Sequence, residues 1–205
     1  MSLFPMFLKL EGRTCLVVGA GKIGEAKIRS LLVSKAEVHV VAPWATPTVR
    51  AWDRAGVLRW TAREFQPSDL DGAFLVVAAT STTSVNDVVY RQAQARHALC
   101  NVVDVPDRCD FFYPAVVRRG SLQVAISTAG NSPALAQRLS REFERQLTPV
   151  YAGWLERLGR IRKELFARRM NPELRRSVLH MVASGSPFDT QISTGSVLQG
   201  ATHGR

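Results

Sequence analysis

The sequence has 205 residues, of which 46% are hydrophobic and 21% are charged, and its formal net charge is +10. This composition excludes a mainly disordered or fibrous chain, and the length allows one full domain plus a smaller appendage. No apolar run approaches the roughly 18 residues of a membrane span, and the first nine residues lack the basic and apolar regions of a signal peptide. We therefore expect a cytoplasmic protein without membrane attachment.

The positive charge is concentrated in the second half of the chain. Residues 1–113 hold 13 Lys and Arg against 11 Asp and Glu, whereas residues 114–205 hold 14 against 6. Such an excess fits either a nucleic-acid partner or an acidic small molecule. No nucleic-acid-binding motif accompanies the charge, so we expect no nucleic acid as a partner.

The cysteines and histidines give no metal or disulfide pattern. Cys15, Cys100 and Cys109 form no CxxC pair, and the four histidines are widely scattered. Cys15 and Cys100 fall inside apolar runs, where a thiol behaves as a small hydrophobe. The sequence therefore predicts neither a disulfide framework nor a bound metal.

The first half of the sequence alternates apolar runs with helical patterns. The second apolar run, Glu37–Val41, is expected to end at Ala42-Pro43. The fourth run, Phe74–Ala79, is too apolar to have a solvent-exposed face. The alternation predicts an α/β fold with a Rossmann-type doubly wound parallel sheet over residues 1–113. Strands are predicted at Thr14–Val18, Glu37–Val41, Leu58–Ala62, Phe74–Ala79 and Leu99–Val103, and helices at Lys22–Ser34 and Val85–Arg96.

Near residue 113 the pattern changes to a hairpin followed by a helix. Two β runs, Ala115–Arg119 and Leu122–Ser127, flank the two-residue turn Gly120-Ser121, which is typical of a hairpin. Ser132-Pro133 then begins a helix with one apolar stripe. We predict that residues 114–147 form a small α+β dimerisation element, and a subdomain packed within one chain is the alternative.

The remainder is predicted to be helical up to a polar tail. Pro149 should interrupt the preceding helix, and a last short helix should begin at Asn171-Pro172. A C-terminal helical domain is therefore expected over residues 148–183. Residues 184–205 are rich in Gly, Ser and Thr, which is typical of a mobile tail.

A glycine-rich motif, GAGKIG, follows the first predicted strand and opens the first helix. In this position the first glycine permits a tight turn, the second lets a pyrophosphate approach the backbone, and the third allows close packing of helix and strand. The helix N-terminus adds unpaired amides. The motif predicts a dinucleotide site that contains Gly19, Gly21, Lys22, Ile23 and Gly24.

The second strand lacks an expected acid. A carboxylate that binds the adenosine ribose usually follows this strand, but the sequence there reads Val41-Ala42-Pro43-Trp44. Backbone groups around Pro43 and Trp44 could hold the ribose instead, while Arg50 is close enough in sequence to meet a 2′-phosphate. The sequence leaves the choice between NAD and NADP open.

Two polar residues follow later strands of the predicted sheet. Thr80 comes after the fourth strand, where it could bind the cofactor or cap the next helix. Asp104 comes after the fifth strand, where ligands of open α/β sheets bind. Its carboxylate suits a general base or an anchor for a cationic nitrogen, and a turn-forming or capping aspartate is the alternative.

The whole assembly resembles the precorrin-2 dehydrogenase module of siroheme synthases. The resemblance runs from Phe4 to Glu144 and rests on FPMFLKLEGRTCLVVGAGKIGEAK, on VVAP, on VVAAT with VNDVV, and on NVVDVPDRCDFFYPAVVRRGSLQVAISTAGNSPALAQRLSREFE. The last block is the most specific, because ordinary dinucleotide-binding enzymes have no reason to carry a D-F-x-x-P-A hairpin followed by STxGxSPALA.

The resemblance implies a function and further site residues. The family oxidises precorrin-2, a tetrapyrrole with eight carboxylate side chains, to sirohydrochlorin by hydride transfer to NAD⁺, and Asp104 matches its catalytic residue. The resemblance places Ser127, Asn131 and Ser132 beside the substrate, and arginines such as Arg118 and Arg119 are candidates for its carboxylates. The predicted dimerisation element favours a homodimer, and the resemblance leaves open whether Fe²⁺ insertion into sirohydrochlorin occurs.

A rival interpretation is a non-catalytic NAD(H)-sensing Rossmann module. It would explain the first half of the chain and the predicted dimer. Such a module would normally carry an acid after the second strand, which is absent here, and it leaves the block from Asp110 to Glu144 unexplained.

Overall fold

A computed structural model describes residues 3–188 of the chain. These residues divide into two units, one of residues 4–113 and one made chiefly of residues 114–188. Of the predicted mobile tail, residues 189–205 lie outside the described residues. Within the described range no helix has both the length and the apolar character that crossing a membrane requires.

The unit of residues 4–113 is built on a five-stranded sheet in the order β3-β2-β1-β4-β5. Every pairing in this sheet is parallel. Parallel strands bury both faces and therefore consist of continuous apolar runs, and this is why the sequence revealed them. The strands are β1 Thr14–Ala20, β2 Glu37–Ala45, β3 Arg59–Thr61, β4 Leu75–Ala78 and β5 Leu99–Val102.

Three helices accompany the sheet, namely α1 Lys22–Val33, α2 Pro47–Arg54 and α3 Thr83–Ala95. Alternate residues of β1 enter two separate apolar clusters, because successive side chains of a strand point to opposite faces. Cys15 packs in the cluster that contains α1 and α2 side chains, whereas Leu16 packs with Cys100 in the cluster that contains α3 side chains. Both faces are covered, and the predicted doubly wound α/β fold is confirmed.

One predicted strand end was wrong, and one helix was missed. β2 does not end at Ala42-Pro43 but continues to Ala45, because an irregularity in its pairing with β1 accommodates the proline. The helix α2 was not predicted. It begins at Pro47 behind Thr46, whose side-chain oxygen accepts a hydrogen bond from the Val49 amide and so caps the helix.

The second unit begins with an antiparallel hairpin of β6 Ala115–Arg119 and β7 Leu122–Ile126. Its turn, Gly120-Ser121, needs glycine because Gly120 has φ +58°. A Cβ on Gly120 would also lie 3.1 Å from the Cβ of Ala152. The turn is thus constrained both by its own conformation and by Ala152, which lies in the later helix Val150–Ala167.

Three helices complete this unit: α4 Pro133–Gln146, α5 Val150–Ala167 and α6 Pro172–Ala183. The side chains of Ser132 and Asn171 cap the first and last of them, and Pro149 separates α4 from α5. A small core of Ile161, Leu165, Val178 and Val182 joins α5 to α6.

Candidate functional site

The glycine motif forms the tight turn between β1 and α1. Gly19 has φ +103°, and a Cβ there would lie 2.5 Å from the carbonyl oxygen of Ala79, which directly follows β4. A Cβ on Gly24 would lie 2.2 Å from the carbonyl oxygen of Gly19. Any side chain at either position would therefore push the helix away from the sheet.

The middle glycine faces open space. A Cβ on Gly21 would meet no atom within 4 Å, and Gly21 is the N-cap of α1 without a side-chain capping bond. The first amides of α1 are consequently available to an anion, and the helix dipole favours negative charge there. Lys22 and Ile23 are exposed beside it. This cradle fits a dinucleotide pyrophosphate.

The end of β2 bulges opposite the first glycine. Val18 pairs with Val41 and Ala20 with Ala45, so the three residues 42–44 of β2 oppose Gly19 alone. Pro43 and Trp44 are exposed as a result, and the Trp44 side chain is 60% accessible. The bulge presents an aromatic ring and backbone groups where dinucleotide-binding sheets usually present an acid.

A carboxylate reaches the end of β2 from the helix instead. Glu25, in the first turn of α1, accepts a hydrogen bond of 2.8 Å from the hydroxyl of Thr46, which directly follows β2. It also pairs with Arg29 at 3.0 Å. The Thr46 hydroxyl, and to a lesser degree Arg29, hold the pKa of Glu25 below its usual value. The sequence analysis missed Glu25, although an acid in the first turn after a glycine motif was a visible signal.

Thr80 is held by its own loop. Its hydroxyl lies 2.8 Å from Oδ1 of the buried Asn86 and accepts from the Thr82 amide at 3.1 Å. Nδ2 of Asn86 in turn donates to the Thr80 carbonyl at 3.0 Å. Thr82, and not Thr80, is the N-cap of α3. The contacts of the Thr80 hydroxyl therefore order the loop that follows β4.

Asp104 occupies the turn that directly follows β5. The Val105 amide donates to the Val102 carbonyl at 3.2 Å and closes this turn, and Asp104 has φ +61°. This left-handed conformation favours glycine or asparagine, although aspartate tolerates it better than most residues. The Asp104 side chain is exposed. A carboxylate is thus held at a backbone position that gives it no structural advantage.

Polar contacts of Asn101 and Cys109 hold this turn in place. Nδ2 of the buried Asn101 donates to the Phe111 carbonyl at 2.8 Å and lies 3.3 Å from Sγ of Cys109. That thiol lies 3.2 Å from the Val102 carbonyl and 3.3 Å from the Val105 carbonyl. Burial raises the pKa of Cys109, so it remains a thiol and can donate to these carbonyls. Asn101 and Cys109 therefore fix the two ends of the turn that carries Asp104.

A lysine of α1 contacts an aromatic side chain near the end of the first unit. Nζ of Lys27, in the second turn of α1, lies 3.7 Å from the centroid of the Tyr113 ring. The Tyr113 ring packs against Phe111 with centroids 5.6 Å apart. The sequence analysis did not single out Lys27, because its aromatic partner is far away in the sequence.

The candidate substrate residues belong to the second unit. Ser127, Asn131 and Ser132 lie in the loop between β7 and α4, where Ser127 Oγ accepts from the Ala129 amide and Ser132 Oγ caps α4 by accepting from the Leu135 amide. Ser127 and Asn131 are exposed. The loop thus presents polar side chains at the N-terminus of a helix.

The two neighbouring arginines differ in their contacts. Arg118 is exposed. Arg119 donates from Nε to the Leu147 carbonyl at 2.5 Å, from Nη1 to the Arg118 carbonyl at 2.8 Å and from Nη2 to the Glu144 carbonyl at 2.8 Å. These bonds satisfy carbonyls at the C-terminus of α4. Arg118 is therefore the better placed of the two to receive a ligand carboxylate.

No group of three or more His, Cys, Asp or Glu side chains within residues 3–188 is arranged to hold a metal ion. Cys15, Cys100 and Cys109 are free thiols. Burial raises the pKa of Cys15 to about 11 and that of Cys100 to about 12. The two buried cysteines are consequently unreactive core residues.

Two families match the sequence. The family described as "Putative NAD(P)-binding" matches residues 6–115, more than half of the chain. The family described as "Sirohaem biosynthesis protein central" matches residues 119–146. The first match contains the glycine motif and Asp104, and the second contains the loop between β7 and α4.

Bacterial siroheme synthases are similar to most of this chain. It is 39% identical over 168 residues to siroheme synthase 1 of Aeromonas hydrophila and 37% identical over 200 residues to the siroheme synthase of Photorhabdus laumondii. These alignments cover 82% and 97% of this chain but 36% and 42% of the two relatives. The chain therefore spans less than half the length of these relatives.

A solved structure of SirC, a precorrin-2 dehydrogenase, has the same fold. The two chains superpose with a TM-score of 0.82 at 26% sequence identity, and the match covers 98% of this chain and 99% of that one. The similarity therefore includes the C-terminal helical region as well as the parallel sheet.

Proposed function

Because the chain belongs to the siroheme synthase family, we propose that it oxidises precorrin-2 to sirohydrochlorin with NAD⁺ as the hydride acceptor. The observation that carries this proposal is the exposed carboxylate of Asp104 on a left-handed turn after β5. It lies at the edge of the sheet that also bears the glycine turn of α1. This edge offers both a cofactor cradle and a proton acceptor.

The proposed reaction removes two hydrogens from the macrocycle, one as a hydride and one as a proton. NAD⁺, when bound, supplies the nicotinamide carbon that accepts the hydride. The amides that follow Gly21 hold the pyrophosphate, with Lys22 and Ile23 beside it, while Gly19 and Gly24 keep α1 close to the sheet. Asp104 accepts the proton at a carboxylate oxygen, and its fixed turn keeps that oxygen at the sheet edge.

The surroundings of the adenosine ribose favour NAD⁺ over NADP⁺. The ionised carboxylate of Glu25 lies at the end of β2 through its bond to Thr46. A 2′-phosphate brought to this end of the sheet would be repelled by that charge. We propose that Pro43 and Trp44 contact the adenosine and that Thr80 orders the loop after β4 on the cofactor side.

The second unit is proposed to bind the substrate carboxylates. Arg118, Ser127 and Asn131 are exposed there, and Ser132 lies at the N-terminus of α4. A polyanionic tetrapyrrole requires guanidinium and amide or hydroxyl donors. In this proposal Arg119 acts indirectly, by fixing the end of α4.

We also propose that the protein is a homodimer in the cytoplasm. The hairpin and α4 bury few apolar side chains completely, and Leu135 of α4 is 39% exposed. A second copy of this element could cover the half-buried stripe that continues through Leu139 and Phe143. Three free cysteines fit a reducing compartment. Sedimentation velocity at several protein concentrations tests the dimer, and a monomer throughout would refute it.

Insertion of Fe²⁺ into sirohydrochlorin is a second proposed activity, with the metal as a substrate. The exposed Asp104 carboxylate could coordinate Fe²⁺ transiently, since a chelatase needs no retained metal. This activity requires no protein cluster of metal ligands.

An anaerobic absorbance assay tests the dehydrogenase. Purified protein is mixed with precorrin-2 and NAD⁺, NADP⁺ or no cofactor, and Fe²⁺ or Co²⁺ is then added. The sirohydrochlorin spectrum should appear with NAD⁺ and without metal, and metal should then remove it faster than in protein-free solution. NAD⁺ binding without turnover, in folded protein, would favour the NAD(H)-sensing module.

Two variants separate cofactor binding from chemistry in that assay. Asp104→Asn keeps the turn, because asparagine tolerates the same left-handed conformation, and should lower turnover at least about 100-fold while NAD⁺ affinity is unchanged. Gly21→Asp places a negative charge in the cradle and should abolish NAD⁺ binding. Full activity of Asp104→Asn would refute the role of Asp104.

A further inference from the structure

Lys27 has an unusual environment for a lysine. It is half-buried, its ammonium lies over the Tyr113 ring, and it forms no ion pair with an acid anywhere in residues 3–188. Burial lowers its pKa, and the nearby Asp104 carboxylate only partly opposes that effect. A cation that is partly desolvated and not paired costs stability, so a function for it is expected.

The contacts of Lys27 lead to the turn that carries Asp104. Tyr113, on which the ammonium rests, packs on Phe111. The Phe111 carbonyl accepts from Asn101, and Asn101 contacts the Cys109 thiol beneath the turn. A chain of contacts therefore links Lys27 to the turn that carries Asp104.

Several other cations of residues 4–113 form ion pairs. Arg108 forms an ion pair with Asp87, Arg63 with Asp69 and Arg96 with Asp71. Lys22 lies at the pyrophosphate cradle. Lys27 forms no such ion pair within residues 3–188, so its ammonium is available to a ligand.

The proposed chemistry creates a need for such a cation. The proposed catalyst, Asp104, is an anion, and the proposed substrate carries eight carboxylates, so the two repel each other at short range. We propose that Lys27 is a substrate-binding residue whose ammonium takes one carboxylate of the tetrapyrrole beside Asp104. This inference rests on the proposed function, and it adds a cationic subsite within the unit of residues 4–113.

A purely structural lysine would behave differently when it is replaced. If Lys27 only supported the Tyr113 ring, Lys27→Met would lower the melting temperature, and Tyr113→Leu would cause the same defects. If Lys27 instead serves to bind a ligand, Lys27→Met removes a half-buried cation that has no ion-pair partner in the described part of the chain. The melting temperature of the free protein should then stay the same or rise.

The experiment compares Lys27→Met, Lys27→Arg and the control Lys35→Gln. Lys35 follows the same helix but is exposed and paired with Glu11 at 3.3 Å. Three quantities are measured: the Kd for NAD⁺ by calorimetry, the Kd for sirohydrochlorin and for its uncharged octamethyl ester by fluorescence quenching, and kcat and KM for precorrin-2.

Lys27→Met should raise the Kd for sirohydrochlorin and the KM for precorrin-2 about 10- to 100-fold, as expected for the loss of one charge-assisted hydrogen bond. The Kd for NAD⁺, the Kd for the ester and kcat should change less than about threefold, because the lost contact is made by ground state and transition state alike. Lys27→Arg should retain most of the affinity, and Lys35→Gln should match the wild type.

The binding data judge this inference separately from the proposed function. If sirohydrochlorin binding weakens only in Lys27→Met, the subsite is supported, whether or not precorrin-2 is turned over. An absence of turnover in that case would refute the dehydrogenase but not the subsite. Equal affinity of Lys27→Met and wild type for sirohydrochlorin overturns the subsite even if turnover is normal. A wild type that neither binds sirohydrochlorin nor turns over precorrin-2 overturns both.

Discussion

The two units bury their apolar side chains to very different degrees. Residues 4–113 contain two apolar clusters, one on each face of the sheet. Among residues 114–188 only six hydrophobic side chains are buried, and four of them form the contact between α5 and α6. Since buried apolar area is the main source of stability, the first unit has a complete core, whereas the hairpin and α4 have apolar area left for another surface.

Matched leucine substitutions should have the largest effects and would sharpen this comparison. Leu75→Ala in β4, where the side chain is 2% exposed, should lower the free energy of unfolding by about 2–5 kcal/mol. Leu139→Ala in α4, where the side chain is half-buried, should cost about 1 kcal/mol or less and should instead weaken self-association. Urea unfolding and sedimentation measure the two quantities. Equal losses of stability would contradict the difference in packing.

Matched glycine substitutions test the two tight turns. Gly24→Ala should cost about 2–4 kcal/mol and abolish NAD⁺ binding, because its Cβ would lie 2.2 Å from a backbone oxygen. Gly120→Ala should cost about 1–2 kcal/mol. The cost comes from the strain of a positive φ and from a contact of 3.1 Å with a side chain rather than with the backbone. Thermal unfolding and calorimetric NAD⁺ titration compare them. Unchanged NAD⁺ affinity in Gly24→Ala would contradict the close packing of α1.

The adjacent arginines allow a test within the second unit. Arg119→Met leaves the carbonyls of Glu144 and Leu147 without their donor and should lower the stability by about 1–3 kcal/mol. Arg118→Met should leave the melting temperature unchanged and raise the KM for precorrin-2. The reverse pattern would assign the structural role to Arg118.

The smallest expected change in stability is the one caused by protonation of Glu25 at low pH. The folded-state pKa of Glu25 lies below 4.5, so its contribution to stability is complete above about pH 4.5 and is lost as the pH falls through the folded value. Glu25→Gln should therefore be less stable than the wild type at neutral pH, and the difference should shrink below pH 4.5. Urea midpoints measured from pH 3 to pH 7 provide the check, and a difference independent of pH would exclude Glu25 as its source.

The sheet could be predicted because its strands are buried on both faces. Runs such as Phe74–Ala79 need no knowledge of their neighbours to be recognised. α2 was missed because it has only eight residues, of which Val49 alone is buried, so it has almost no apolar stripe. Pro43 suggested the end of β2, whereas a bulge carries the strand past it.

The positions of the candidate site residues were predictable only where those residues directly follow a strand. The glycine turn and Asp104 follow strands directly, so their location at the sheet edge could be inferred from sequence. Lys27 and Glu25 depend on Tyr113 and Thr46, which no local pattern connects to them. The contacts of Arg119 depend on where α4 ends, and sequence patterns place helix ends poorly.

The two buried cysteines lie on opposite faces of the sheet, Cys15 in the cluster with α1 and α2 and Cys100 in the cluster with α3. Neither thiol can react with an alkylating reagent until the helix layer above it opens. Their separate alkylation rates, resolved by peptide mass spectrometry, would thus report the opening kinetics of each layer independently. A comparison of the two rates with and without a dinucleotide would show which helix layer opens less often when the dinucleotide is bound.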